Sequence, residues 1–198
     1  MIPEVVAGIL VGGQGTRMDS PLPKHLVAFG EETLVDPILR AAQQVCSTVV
    51  LVGEGPGKPG VQQVEDDPGS QGPLAGILGL MGAYPDVAVL VLACDMPLMT
   101  VGALQWLLEQ RREDRLAIFP RTRDGRVQPL GALYEAGSRA DLMVLAQAGH
   151  LGPRSLAERS GFAAVDVPEH LQDAWSNVND MRALTGLLES RRASEGER

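Results

Sequence analysis

The sequence has few cysteines, no long apolar run and no cluster of basic residues, and each absence excludes a class of protein. Its two cysteines, Cys46 and Cys94, are too few and too far apart for a disulfide framework or a cysteine metal cluster. No apolar stretch reaches the ~18 residues of a membrane helix, since the longest covers only residues 87–94. We therefore expect a globular protein of a reducing compartment, with no membrane-spanning segment.

The charge balance is acidic, with 17 basic and 25 acidic side chains and a formal net charge of −8. Without a basic patch, the chain lacks the surface that a phosphate backbone or an anionic membrane requires, so we expect neither as a partner. No positively charged region precedes the first apolar run at residues 5–11, which argues against a signal peptide. A cytoplasmic location is therefore expected.

Predicted strands and helices alternate along the chain. The strands are apolar or β-branched runs, predicted at residues 5–11, 48–52, 61–64, 87–93, 116–120, 127–134 and 163–167. Helices are predicted at residues 33–45, 73–82, 100–111, 136–147, 154–160 and 180–188, with Thr33 and Thr100 as N-caps of two of them. This alternation indicates an α/β fold with a mostly parallel sheet covered on both faces. We predict one domain at residues 1–190 and a disordered tail at residues 191–198.

Glycines and two cations follow the first predicted strand. Gly12, Gly13 and Gly15 allow backbone N–H groups to approach a ligand closely, and Arg17 and Lys24 supply charges for phosphate oxygens. The loop lacks the Gly-Lys-Ser/Thr of P-loop NTPases and the third glycine of the dinucleotide fingerprint. Because ligands of parallel sheets bind beyond the carboxyl ends of the strands, phosphate binding is favoured over a flexible surface turn.

Asp95 directly follows the longest apolar strand. A carboxylate in this place suits Mg²⁺, which prefers one or two carboxylates together with phosphates and water. The turn from Pro97 to Thr100 offers a second interpretation, in which Asp95 only turns or caps the chain, and the residues alone favour neither. Cys94 has no adjacent histidine to activate it as a nucleophile, so it is interpreted as a small buried strand residue.

Five landmarks follow one another along the chain. They are Leu-Val-Gly-Gly-x-x-x-Arg-Met at residues 10–18, Lys24, Gly-Pro-Leu-Ala-Gly-Ile at 72–77, Cys-Asp-Met-Pro at 94–97 and Asn-Val-Asn at 177–179. In this combination the chain resembles the molybdenum cofactor guanylyltransferase family, and the resemblance covers nearly the whole chain. It implies a three-layer Rossmann-like nucleotidyltransferase fold. Gly-Pro-Leu-Ala-Gly and Asn-Val-Asn are the more specific landmarks.

The resemblance also implies roles for the matching residues. Arg17, Lys24 and Asp95 would be catalytic, with Asp95 as the Mg²⁺ ligand. The nucleotide would be bound by Leu10, Val11, Gly12, Gly13, Lys24, Gly53, Gly72, Pro73, Leu74 and Asp95. An aspartate before Gly72 would also bind nucleotide, and Asp66 and Asp67 compete for that role. Asn177 and Asn179 would face the acceptor, although Asn179 also suits a helix cap.

The implied reaction transfers GMP from GTP to the terminal phosphate of molybdopterin and releases pyrophosphate, in molybdopterin guanine dinucleotide biosynthesis. Because a phosphate nucleophile is already ionised, no strong general base is needed, and the sequence offers only His25 as a weak candidate. GTP and molybdopterin are the expected partners, together with other cofactor-biosynthesis proteins or recipient molybdoenzymes.

Three residues depart from the family pattern. Asp19 occupies the place of the usual glycine after Arg-Met. His25 occupies the place of a residue that is often small, and Val11 the place of the usual alanine. They leave two alternatives open. One is a related nucleotidyltransferase that uses CTP or a sugar phosphate. The other is a nucleotide-binding delivery partner without catalytic activity, which Asp19 favours and which Arg17, Lys24 and Asp95 disfavour.

Overall fold

A seven-stranded sheet forms the centre of the fold in the computed structural model, which describes residues 4–11, 22–178, 182–187 and 189. Across the sheet, the strands are β5 (Gln62–Val64), β4 (Thr48–Val52), β1 (Val5–Leu10), β6 (Ala88–Ala93), β8 (Ala132–Tyr134), β7 (Ala117–Arg121) and β9 (Phe162–Asp166). Only β8 runs against its neighbours, so the prediction of a mostly parallel sheet is confirmed.

Helices cover both faces of the sheet and give the fold three layers. The residues of β1 and β6 are all buried, as expected for strands enclosed on both sides. Alternate residues of these strands pack into two apolar cores, one on each face of the sheet. One core contains residues of α1 (Asp36–Gln43) and α3 (Val101–Glu109), and the other contains residues of α2 (Pro73–Ala83) and α4 (Arg139–Gln147).

A small apolar cluster lies outside these two cores. A 3-10 helix at Lys24–Leu26 is followed by a hairpin of β2 (Ala28–Phe29) and β3 (Glu32–Thr33). The buried side chains of this hairpin cluster are Val27, Phe29, Leu34, Val178 and Leu184. The segment that carries Lys24 therefore packs against the C-terminal part of the chain, where residues 182–187 are helical.

Thr33 does not cap a helix, so that prediction is wrong. Its backbone N–H and its hydroxyl both donate to the Asp36 carboxylate, at 2.7 and 2.6 Å, and α1 begins only at Asp36. Thr33 itself belongs to β3. Thr100 does act as predicted, because its hydroxyl accepts a hydrogen bond from the backbone N–H of Ala103 at the start of α3.

Two further elements differ from their predicted bounds. The strand predicted at residues 127–134 is present only as β8, because Pro129 has no N–H for a ladder and Gly131 has a φ of 96°. The short helix predicted at residues 154–160 is a 3-10 helix at Pro153–Glu158. Two further 3-10 helices lie at Ala136–Ser138 and Glu169–Trp175.

In the part of the chain that the structure describes, no helix has both the length and the apolar character needed to cross a membrane.

Candidate active site at the strand ends

The carboxyl ends of four parallel strands lie side by side. Leu10 at the end of β1 pairs with Val52 of β4 on one side and with Ala93 of β6 on the other, and Val52 pairs with Val64 of β5. The residues that follow these strands, Val11 among them, therefore share one edge of the sheet. The sequence analysis predicts that phosphate binds at this edge, beyond the carboxyl ends of the strands.

Lys24 and Asp95 form an ion pair at the end of β6. Lys24 Nζ lies 2.7 Å from Asp95 Oδ2, and the two side chains are only 16% and 17% exposed. The 3-10 helix Lys24–Leu26 brings the lysine to this point across 71 positions of sequence. The sequence suggests a phosphate contact for Lys24 and a metal for Asp95, but it does not predict that the two side chains meet.

Asp95 keeps one carboxylate oxygen available for a metal. Its Oδ1 atom is buried and has no hydrogen-bond partner among the described residues. A buried unpaired carboxylate oxygen is costly, and a bound cation would satisfy it. No group of three or more metal-binding side chains occurs in the described ranges. One carboxylate nevertheless fits Mg²⁺, which takes most of its other ligands from phosphates and water.

Cys94 does not have the properties of a nucleophile. Burial raises the pKa of its thiol to about 12, and the neighbouring Asp95 carboxylate adds to this rise. The thiol therefore stays protonated near neutral pH, where only the thiolate is reactive. This agrees with the interpretation of Cys94 as a small buried residue at the end of β6.

The loop between β4 and β5, residues 53–61, has a backbone shape that depends on glycine. Gly53 and Gly55 have φ angles of 116° and 122°, a region that other residues rarely adopt. The side chain of Gln63 in β5 donates to the carbonyl oxygens of both, at 2.6 and 3.2 Å. Gln63 is a contributor to this loop that the sequence analysis does not identify, because an exposed glutamine in a weak strand carries no recognisable signal.

Asp66 and Asp67 have different surroundings. Asp66 lies near the end of β1, since a Cβ on Gly76 would be 3.3 Å from Asp66 Oδ1 and 3.0 Å from a methyl carbon of Leu10. Burial raises the pKa of Asp66 above its usual range, and the charge of Glu54 adds to this. The Asp67 carboxylate instead accepts a hydrogen bond from the Ser70 hydroxyl at 2.6 Å. The structure thus places Asp66 beside the shared edge, and the assignment of a nucleotide contact to it stays a prediction.

Glycines bring α2 close to this edge. Gly72 precedes α2 with a φ of 62°, and Pro73 is its first residue. A Cβ on Gly79 would lie 2.2 Å from the backbone oxygen of Glu65, so the helix rests directly on the chain that carries Asp66. The Gly-Pro-Leu-Ala-Gly pattern points to Gly72 and Gly76, but it ends before Gly79, whose role becomes visible only in the packing.

Leu74 has limited means of contacting a ligand. Its side chain is fully buried, and its backbone N–H donates to the carbonyl oxygen of Leu151 at 3.0 Å. Its nucleotide-binding role stays a prediction, and the structure shows only that it anchors the turn at Gly72 and Pro73, which lie nearer to the surface. The loop at Leu151 thus supports the beginning of α2.

The segment that carries Asn177 is attached to the same site. The backbone N–H of Val178 donates to the backbone oxygen of Asp95 at 2.8 Å. Val178 is fully buried, whereas Asn177 is exposed and lines a polar cavity of about 370 Å³. Arg123, Arg126 and Gln128, from the turn after β7, also line this cavity.

Four predicted site residues, and Asp19, which departs from the family pattern, lie outside the described residues. They are Gly12, Gly13, Arg17, Asp19 and Asn179. The structure therefore bears on Leu10, Val11, Lys24, Gly53 and Asp95 at the strand ends, and not on the glycine-rich loop itself.

The sequence is similar to a known family and to named proteins. The sequence model of the family described as MobA-like NTP transferase domain matches residues 7–166. A probable molybdenum cofactor guanylyltransferase of Clostridium perfringens is 29% identical over 140 residues, which cover 69% of this chain and 68% of that protein. A similar protein of Bacillus mycoides, with the same name, is 28% identical over 147 residues, covering 70% of this chain and 72% of that one.

A solved structure has the same fold. It is the molybdopterin-guanine dinucleotide biosynthesis protein A of Archaeoglobus fulgidus, which superposes with a TM-score of 0.78 at 20% identity. The superposition covers 95% of this chain and 99% of that one. The two proteins therefore share their fold.

Proposed function

Because the chain belongs to the family of MobA-like NTP transferase domains, we propose that it transfers GMP from GTP to the terminal phosphate of molybdopterin, releasing pyrophosphate. The observation that carries this proposal is the ion pair of Lys24 and Asp95 beside the end of β1, with Asp95 Oδ1 left unpaired among the described residues. Relatives named for guanylyl transfer to the molybdenum cofactor support the choice of GTP and molybdopterin over other substrates.

The charges along the strand ends suggest how the nucleotide lies. Glu54 and Asp66 stand on the β4–β5 side, where their carboxylates disfavour a triphosphate but accept hydrogen bonds from a base or a ribose. Lys24 stands on the β6 side, where an ammonium group suits phosphate oxygens. The ends of β4 and β6 are two strand spacings apart, or about 10 Å, which is comparable with the length of a nucleotide. We place the nucleoside at the β4–β5 loop and the phosphates near Lys24.

Mg²⁺ is the proposed metal, and Asp95 would hold it through Oδ1. When bound, this ion neutralises charge on the phosphates of the substrate. Lys24 places a second positive charge on the same side, and Asp95 Oδ2 keeps its ammonium group in position. Catalysis in such a site depends on positioning and on electrostatic stabilisation, because the attacking phosphate needs no deprotonation.

Asn177 gives the acceptor a place next to the reacting phosphates. It directly precedes Val178, whose backbone N–H is hydrogen-bonded to Asp95. It also lines the cavity to which Arg123 and Arg126 contribute. An amide and two guanidinium groups suit a polar, phosphorylated acceptor. We propose that molybdopterin approaches from this cavity. The product would then pass to another cofactor-biosynthesis protein or to a recipient molybdoenzyme.

The cytoplasm is the proposed compartment. Both cysteines, Cys46 and Cys94, are free thiols buried in the fold, which suits a reducing environment.

The proposal is tested by measuring pyrophosphate release from GTP, CTP, ATP and UTP, each with Mg²⁺ and with and without molybdopterin. Release from GTP that requires molybdopterin is the expected result. Preference for CTP would overturn the guanylyl assignment in favour of a related nucleotidyltransferase. GTP binding without turnover would instead identify a nucleotide-binding delivery partner.

A further inference from the structure

His25 is fully buried, although it directly follows the charged residue Lys24. Its Nε2 atom lies 3.0 Å from the backbone oxygen of Pro56. Because a carbonyl oxygen only accepts hydrogen bonds, Nε2 carries the proton and donates it. This hydrogen bond joins the 3-10 helix Lys24–Leu26 to the β4–β5 loop.

The other ring nitrogen of His25 shows that filling space does not explain the residue. Nδ1 is buried and has no hydrogen-bond partner among the described residues. A buried acceptor without a partner lowers stability, whereas an apolar side chain of similar size would avoid that cost. The presence of an imidazole is therefore best explained by the hydrogen bond that Nε2 donates to Pro56.

Lys58 attaches the same loop at a second point. Its ammonium group donates to the Thr33 hydroxyl at 3.0 Å and forms an ion pair with Asp36. Thr33 in β3 and Asp36 in α1 follow Lys24 along the chain. Val35 lies between them, and its backbone N–H donates to the His25 backbone oxygen, which holds this segment to His25. The loop is thus tied twice to the segment that carries Lys24.

We propose that His25 is a positioning residue, which together with Lys58 keeps the β4–β5 loop at a fixed distance from Lys24. The inference rests on the proposed function, in which the loop receives the nucleoside and Lys24 the phosphates. A ligand that contacts both places gains from a fixed spacing, because less of the protein has to be ordered on binding. A ligand that contacts only the Lys24 side gains nothing from it.

Two substitutions of His25 by side chains of nearly equal size distinguish the effect of its hydrogen bond from the effect of its packing. His25→Gln keeps an N–H donor at a similar reach to Nε2, whereas His25→Leu fills the space without a donor. Equilibrium binding of GTP and of pyrophosphate is measured for both variants and for the wild type, with Mg²⁺ present. We expect His25→Leu to weaken GTP binding about five- to tenfold, the effect of one lost hydrogen bond, with pyrophosphate binding unchanged. His25→Gln should restore GTP binding.

Equal losses of GTP and pyrophosphate binding, equal losses in the two variants, or no loss in a folded His25→Leu protein would each overturn the proposal. If His25→Leu does not fold, Lys58→Met removes the second connection, which is half-buried, and makes the same test, with weakened GTP binding and unchanged pyrophosphate binding expected. The wild type is measured first with all four nucleoside triphosphates. If another nucleotide binds best, the guanylyl assignment fails, and the tie is tested with that nucleotide.

Discussion

The backbone N–H of Val178 donates a hydrogen bond to the backbone oxygen of Asp95, and this bond joins the C-terminal segment to the residue that follows the central strand β6. Val178 is buried in the hairpin cluster together with Val27, which lies three residues after Lys24. The same small cluster therefore positions both partners of the Lys24–Asp95 ion pair. Asn177, which precedes Val178, is left exposed beside them.

Replacement of Asn177 by alanine tests its place on the acceptor side. Since its side chain is exposed, we expect Asn177→Ala to leave the free energy of unfolding within about 0.5 kcal/mol of the wild type. The KM for molybdopterin should rise while the KM for GTP stays the same. Ser160→Ala, a substitution of an exposed residue that does not line this cavity, is the control and should change neither constant. A rise in the KM for GTP alone would place Asn177 on the nucleotide instead.

Asp66 and Asp67 are distinguished by parallel alanine substitutions. Asp66→Ala should weaken nucleotide binding, because the Asp66 carboxylate faces Gly76 and the end of β1. Asp67→Ala should lose the hydrogen bond from Ser70 and about 1 kcal/mol of stability, with nucleotide affinity unchanged. Nucleotide affinity and denaturant unfolding, measured on both variants, check these outcomes, and the reverse pattern would assign the contact to Asp67.

Two glycines of α2 should respond in opposite ways to alanine. A Cβ at Gly79 would lie 2.2 Å from the Glu65 backbone oxygen, so Gly79→Ala must displace the helix from the segment that carries Asp66. We expect a loss of both stability and nucleotide affinity. At Gly82 a Cβ meets nothing within 4 Å, and Gly82→Ala should stabilise the protein by up to about 1 kcal/mol through helix propensity. Thermal unfolding checks both, and a neutral Gly79→Ala would contradict the close packing.

The ion pair of Lys58 and Asp36 should make stability depend on pH in the acid range. Burial alone would raise the pKa of Asp36, but hydrogen bonds from Lys58 and Thr33 outweigh burial and hold the pKa below its ordinary value of 3.8. A carboxyl with a lowered pKa stabilises the fold at neutral pH, and this contribution is lost as the pH falls through the folded-state pKa. The difference in unfolding free energy between wild type and Lys58→Met should therefore be constant near neutral pH and shrink below about pH 4. An unchanged difference down to pH 3 would exclude the pair as a source of stability.

Much of the fold follows from local sequence patterns. The fully apolar runs of β1 and β6 are typical of strands buried on both faces, and Gly72 with Pro73 marks the start of α2. Short elements were not predicted, because the two-residue strands β2 and β3 are too brief to show a period. The strand predicted at residues 127–134 was too long, since an apolar composition does not show where Pro129 and Gly131 interrupt a ladder.

The candidate site was predicted one residue at a time, and the relations between residues were not. The sequence identifies Lys24 and Asp95 as chemically important, but their ion pair depends on packing between segments 71 positions apart. The same holds for His25, whose position beside Lys24 suggested a weak catalytic candidate. Its partner Pro56 lies in a loop that no local pattern connects to it.

Magnesium-dependent pyrophosphate release by Asp95→Asn tests the central claim most directly. Asp86→Asn is the matched control, since Asp86 is exposed and lies just before β6, at the opposite end of the strand from Asp95. We predict that Asp95→Asn keeps the fold and loses turnover by at least ~10²–10³-fold, as for other preorganised electrostatic groups, while Asp86→Asn keeps full activity. A folded Asp95→Asn protein with normal magnesium-dependent turnover would contradict the placement of the metal and the phosphates at the end of β6.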